Sequence, residues 1–83
     1  MAATELTFHN KIKMRVQAQI FLGRTLISTC VANPGEVCTL LAEAAGYDIF
    51  FKNGATGREL ARKLNNEADS LTLSLENGRY ILT

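Results

Sequence analysis

Apolar and polar side chains alternate from Leu6 to Ile20. Leu6, Phe8, Ile12, Met14, Val16, Ala18 and Ile20 hold the even positions, and only Asn10 breaks that series. Thr7, His9, Lys11, Lys13, Arg15, Gln17 and Gln19 hold the odd ones. A period of two belongs to a strand with one buried face. The run exceeds the usual strand of about 5–6 residues, so a break is expected. His9-Asn10-Lys11 is the place for it, because asparagine tolerates the left-handed backbone of a tight turn. A three-residue loop there sets Phe8 opposite Ile12 and Leu6 opposite Met14; one long, bulged strand is the alternative.

A second turn is expected at Leu22-Gly23-Arg24. "TLISTCV", rich in β-branched residues, follows as a strand, pairing Ile20 with Leu26 and Val16 with Cys30. "NPGEVCTLLAEAAG" carries helix signals. Asn33 serves as N-cap, Pro34 as first helical residue, and Glu36 completes a capping box. Val37, Leu40, Leu41 and Ala44 then form a stripe at helical spacing, with Gly46 as the stop. "YDIFF" reads as a strand ended by Asn53-Gly54. "TGRELARKLNN" reads as a second helix, with Thr56 and Glu59 as capping box and Leu60, Ala61 and Leu64 as buried stripe.

The closing "LTLSLENGRYILT" contains Asn77-Gly78, the signature of a two-residue type I′ hairpin. That turn pairs Leu75 with Tyr80 and Leu73 with Leu82 on one face, Glu76 with Arg79 and Ser74 with Ile81 on the other. The expected architecture is a single α+β domain over residues 1–83. It has the order β-β-β-α-β-α-β-β, with an antiparallel-rich sheet of about five to six strands packed against two helices.

Composition is that of an ordinary folded domain, with 47% apolar and 20% charged residues. The net charge of +1 provides no global field. Its distribution is uneven: Lys11, Lys13, Arg15 and Arg24 fall in a stretch without acids, and Glu67, Asp69 and Glu76 in one without bases. No secretory signal or bilayer-spanning stretch is apparent, so a cytoplasmic location is expected. Cys30 and Cys38 leave one bridge open, but a reduced pair of core residues is the expectation. One histidine and no close cysteine pair make a zinc site improbable, and no cofactor motif is present. "KNGATG" lacks the spacing of a phosphate-binding loop and reads as a turn with a cap.

No catalytic set assembles. His9 and Glu5 share a strand face, but no nucleophile or oxyanion donor accompanies them. The chemistry-bearing feature is cationic. Lys11, Lys13 and Arg15, with the aromatic Phe21, outline a strand platform that could contact phosphates while a ring stacks on a base. Arg58 and Arg62 share one edge of the expected second helix. The bland alternative is a solvated face whose lysines deter edge pairing.

Two segments resemble known families. "KNGATGRELARKLNNEADSLTLSLENGRYIL", Lys52 to Leu82, looks like the strand–helix–hairpin run of AbrB/MazE-type DNA-binding regulators. That resemblance implies an interleaved homodimer with Lys52, Arg58 and Arg62 on phosphates. "LTFHNKIKMRVQA" is similar to the first strand and loop of HPr-like phosphocarriers. Arg15 stands where their phosphorylated histidine belongs and Gln17 where its arginine neighbour does, which implies a docking surface without phosphotransfer.

The leading expectation is therefore a small non-enzymatic regulator, a homodimer, binding DNA or RNA through Lys11, Lys13, Arg15, Phe21, Arg58 and Arg62. The alternative is a protein-interaction module: an adaptor, inhibitor or accessory subunit.

Overall fold

The computed structural model describes residues 4–42 and 46–83. It contains eight strands and, among the described residues, no helix. They are β1 (Thr4–Asn10), β2 (Val16–Leu22), β3 (Thr25–Ala32), β4 (Val37–Ala42), β5 (Tyr47–Asn53), β6 (Glu59–Asn66), β7 (Ser70–Glu76) and β8 (Arg79–Leu82). Two four-stranded sheets, β4-β1-β7-β8 and β3-β2-β5-β6, make a sandwich. All pairings are antiparallel except β1 with β7, which runs parallel. The α+β class and both helices are thereby corrected to all-β.

The alternation begun at Leu6 sets the core. Leu6 and Phe8 on β1, Leu40 and Ala42 on β4, and Leu71 and Leu73 on β7 turn inward from one sheet. Val16, Ala18 and Ile20 on β2, Ala32 on β3, and Tyr47, Ile49 and Phe51 on β5 meet them from the other. Phe8 and Phe51 pack across the interface with ring centroids 4.7 Å apart. Both rings are fully buried, so truncating either to alanine costs about 3–5 kcal/mol.

Several local expectations change for physical reasons. β1 and β2 do not form a hairpin: Lys11–Arg15 crosses from one sheet to the other, so Phe8 faces Cys38 and Leu71 rather than Ile12. The Gly23-Arg24 turn joins β2 to β3, but two turn residues and a bulge at Ile20/Phe21 move the register. Ile20 meets Ser28 and Val16 meets Ala32. The C-terminal hairpin has all four expected pairs, with Asn77 and Gly78 both at positive φ.

The expected helix after Asn33 is a turn followed by β4. Asn33 and Glu36 close that turn, Glu36 N–H donating to Asn33 O at 2.9 Å. Leu40 suits either period, but Cys38, Leu40 and Ala42 turn toward the core, leaving Val37 and Leu41 more than half exposed. Ala44 lies outside the described residues. The expected helix after Thr56 is likewise a turn and β6, paired along its length with β5. Without that helix, the strand–helix–hairpin of AbrB/MazE-type regulators is not formed. Cys30 and Cys38 are joined in a disulfide between β3 and β4, in place of the expected reduced pair.

No helix of the described residues is long and apolar enough to cross a membrane.

Candidate binding site at the loop end

The strand directions bring four connections to one end of the sandwich: Lys11–Arg15, Asn33–Glu36, Gly54–Arg58 and Asn77-Gly78. Asn10, the residue that broke the apolar series, holds two of them together. Its side chain is 1% exposed. Nδ2 donates to Met14 O at 2.8 Å and to Ala32 O at 2.9 Å, and Oδ1 accepts from Ile12 N–H at 3.1 Å. Its backbone N–H donates to Glu36 O at 3.0 Å, and its carbonyl accepts from Gly35 N–H at 2.8 Å. A buried amide satisfied at both ends fixes the loop shape without an uncompensated polar group.

That clamp explains why the alternation runs on through a segment that is not a strand. Ile12 is buried and Met14 half-buried against the core, while Lys11, Lys13 and Arg15 stand exposed between them. The cationic row expected on a strand face is a loop, with its odd positions still in water.

Arg15 joins this loop to the β5–β6 turn. Its Nη2 donates to Gly54 O at 3.1 Å, and its own carbonyl accepts from Gly54 N–H at 2.8 Å. A Cβ at position 54 would lie 2.8 Å from Arg15 Nε and 3.1 Å from Arg15 O, so any other residue there pushes the Arg15 side chain aside. Asn53 shapes the turn itself. Its Oδ1 accepts from Ala55 N–H at 2.8 Å and Thr56 N–H at 3.2 Å, its backbone N–H donates to Arg58 O at 2.8 Å, and its carbonyl accepts from Gly57 N–H at 2.8 Å. Arg58 is thus held, exposed, at the same end as Lys11, Lys13 and Arg15. Lys52, near the end of β5, and Arg79, at the start of β8, add to the positive end.

The acids at this end are Glu36, Glu59 and Glu76. Glu59 is committed: its carboxylate takes Arg62 Nε and Nη2, each at 2.9 Å, in the one salt bridge among the described residues. The opposite end carries Glu5, Asp48, Glu67 and Asp69 against Arg24 and Lys63. A chain with a net charge of +1 is therefore polarised along its 39 Å length.

Phe21 and Arg62 lie elsewhere. They sit on the outer face of the β3-β2-β5-β6 sheet, where Phe21 packs on Phe50 at 5.5 Å and Arg62 lies 5.0 Å over the Phe50 ring. Arg62 occupies a strand, and its guanidinium already has an anion and a ring. These two form a surface ladder separate from Lys11, Lys13, Arg15 and Arg58. Asn10, Asn53 and Gly54 were the positioning residues that sequence reasoning missed. Asn10 gave a signal, a polar residue in phase with a buried face.

No group of three or more His, Cys, Asp or Glu gathers among the described residues in a way that could hold a metal ion. His9 lies opposite Val37 and Thr72 in the strand register.

Comparison with protein-family models, with curated proteins and with solved structures returns no match to this chain.

Proposed function

We propose that this chain is a non-enzymatic binding module that takes a phosphate-bearing polyanion, nucleic acid foremost, on its loop end. The observation that carries the reading is the Arg15–Gly54 clamp. Two loops distant in sequence are locked together, and Lys11, Lys13 and Arg58 are thereby displayed at the same end as Arg15, with no acid among the described residues ion-paired to them. Cations carried on loops of fixed backbone meet phosphate without reordering the chain, and the opposite charge at the far end orients the approach.

The reading departs from the sequence expectation in geometry: the surface is a loop cluster, and Phe21 and Arg62 are outside it. The Cys30–Cys38 disulfide favours an oxidising compartment over the cytoplasmic location expected from the sequence.

Fluorescence anisotropy with labelled single- and double-stranded oligonucleotides tests the proposal. Four phosphate contacts on duplex give a log–log salt slope of about −3 to −4. Lys11→Glu with Lys13→Glu removes most of that binding while the far-ultraviolet circular dichroism stays unchanged. Affinity indifferent to salt, or unaltered in this variant, overturns the reading.

A further inference from the structure

Two Asn-Gly pairs stand at the basic end, Asn53-Gly54 and Asn77-Gly78. Asparagine before glycine is the pair most open to deamidation. The backbone nitrogen of the second residue attacks the side-chain carbonyl carbon of the first, and glycine has no Cβ to obstruct that approach. Among the other asparagines, Asn33 precedes proline, whose nitrogen carries no proton to lose, and Asn10, Asn65 and Asn66 precede residues with a Cβ. The attack needs two freedoms: the asparagine side chain must be able to swing, and the next N–H must be unengaged.

The fold treats the two pairs oppositely. Asn53 is half-buried and held on every side. Its Oδ1 accepts from Ala55 and Thr56 N–H, its Nδ2 donates to Met14 Sδ at 3.4 Å, and Gly54 N–H donates to Arg15 O at 2.8 Å. Attack there would break all of these bonds together. Asn77 is exposed, and among the described residues neither its side chain nor Gly78 N–H takes part in a hydrogen bond. The turn that carries it is also less supported. β8 is four residues long and ladders with β7 alone, so this hairpin opens locally more readily than a turn tied to Arg15. Opening releases Asn77 from its φ of 51° and lets the Gly78 nitrogen swing toward Cγ.

We propose that Asn77 is a modification site, deamidating spontaneously while the fold protects Asn53. Gly78 N forms a bond to Asn77 Cγ, the Cγ–Nδ2 bond breaks, and ammonia leaves with the proton that Gly78 N–H gives up. Solvent water then opens the cyclic imide at either carbonyl, leaving aspartate or isoaspartate. Each product places a carboxylate two residues before Arg79, at the end that carries Lys11, Lys13, Arg15 and Arg58. Isoaspartate also adds a methylene to the backbone of a two-residue turn, which disturbs the pairing of Glu76 with Arg79. The consequence for polyanion binding rests on the function proposed above; the modification itself does not.

The experiment incubates the folded chain, disulfide intact, in mildly alkaline buffer and follows it by peptide mapping with mass spectrometry. The peptide holding Asn77 gains the mass of an amide-to-acid exchange and separates into aspartate and isoaspartate forms. The peptide holding Asn53 converts at about a tenth of that rate or below. In urea the two convert at similar rates, which assigns the difference to the fold. Asn77→Asp, made directly, lowers oligonucleotide affinity about twofold at low salt, the effect of one added charge near others in water. Equal conversion of Asn53 and Asn77 in the folded chain overturns the proposal, as does an intact Asn77 under conditions where the urea-unfolded chain converts at both. Mass spectrometry needs no ligand, so failure of the binding reading and failure of this one are told apart.

Discussion

The two ends of the sandwich each turn on a fully buried asparagine, yet they are held differently. At the basic end, Asn10 binds its own loop and the carbonyl of Ala32 on β3. The Arg15–Gly54 clamp then recruits a third connection. At the acidic end Asn66 binds its own loop and also reaches the start of β5, its carbonyl accepting from Gly46 N–H at 3.0 Å. Its Nδ2 donates to Ala68 O at 2.9 Å and to Tyr47 Oη at 3.4 Å, and its Oδ1 accepts from Ala68 N–H at 3.3 Å. Both ends are cross-linked, but only the basic end has a cationic side chain, Arg15, that joins two connections distant in sequence. The difference teaches that the positive end is a built surface. Its charges can vary without disturbing the buried amide that shapes it.

The sharpest way to break this comparison is Asn10→Leu. It leaves Ile12 N–H and the Met14 and Ala32 carbonyls without their partner, and the expected loss is about 3–5 kcal/mol by urea denaturation. Asn66→Leu orphans groups nearer to solvent and is expected to cost about 2–3 kcal/mol. Equal losses at the two sites would erase the distinction drawn here. Gly54→Ala forces Arg15 aside and is expected to cost about 1–2 kcal/mol. In that variant, hydrogen exchange should quicken at the N–H of position 54 and leave Ala68 N–H alone. The smallest effect belongs to Lys11→Glu with Lys13→Glu. Stability should move by no more than about 0.5 kcal/mol per site, because both side chains are exposed and hold nothing. A larger loss would make those lysines structural and weaken their claim on a partner.

Legibility followed the range of the interactions. The Asn77-Gly78 hairpin could be read to the residue pair, because its turn chemistry and its alternation lie within one short segment. The Gly23-Arg24 turn was legible but its register was not, since a bulge at Ile20/Phe21 leaves no mark in the composition. Asn33-Pro34-Gly35-Glu36 and Thr56-Gly57-Arg58-Glu59 misled because capping-box residues are also turn residues. Short apolar runs such as Val37–Ala42 satisfy the helical and the strand period together. Strand pairing with β1 resolved that ambiguity, setting Leu40 beside Leu6 and Cys38 beside Phe8. Of the candidate site, the exposed cations were visible as a row. Their neighbourhood with Arg58 was not, because it depends on a glycine that admits Arg15.

By itself, then, the sequence determined which apolar side chains from Leu6 to Ile20 turn toward the core and that Lys11, Lys13 and Arg15 stay in water, since burial follows local alternation of polarity. It also determined the final hairpin, since two residues of backbone preference suffice for its turn. Only the tertiary structure decided that the chain has no helix among its described residues, that β1 lies parallel to β7, and that Lys11, Lys13, Arg15 and Arg58 share one end. Those outcomes depend on partners far apart along the chain, and a local pattern carries no information about which distant strand will satisfy its backbone.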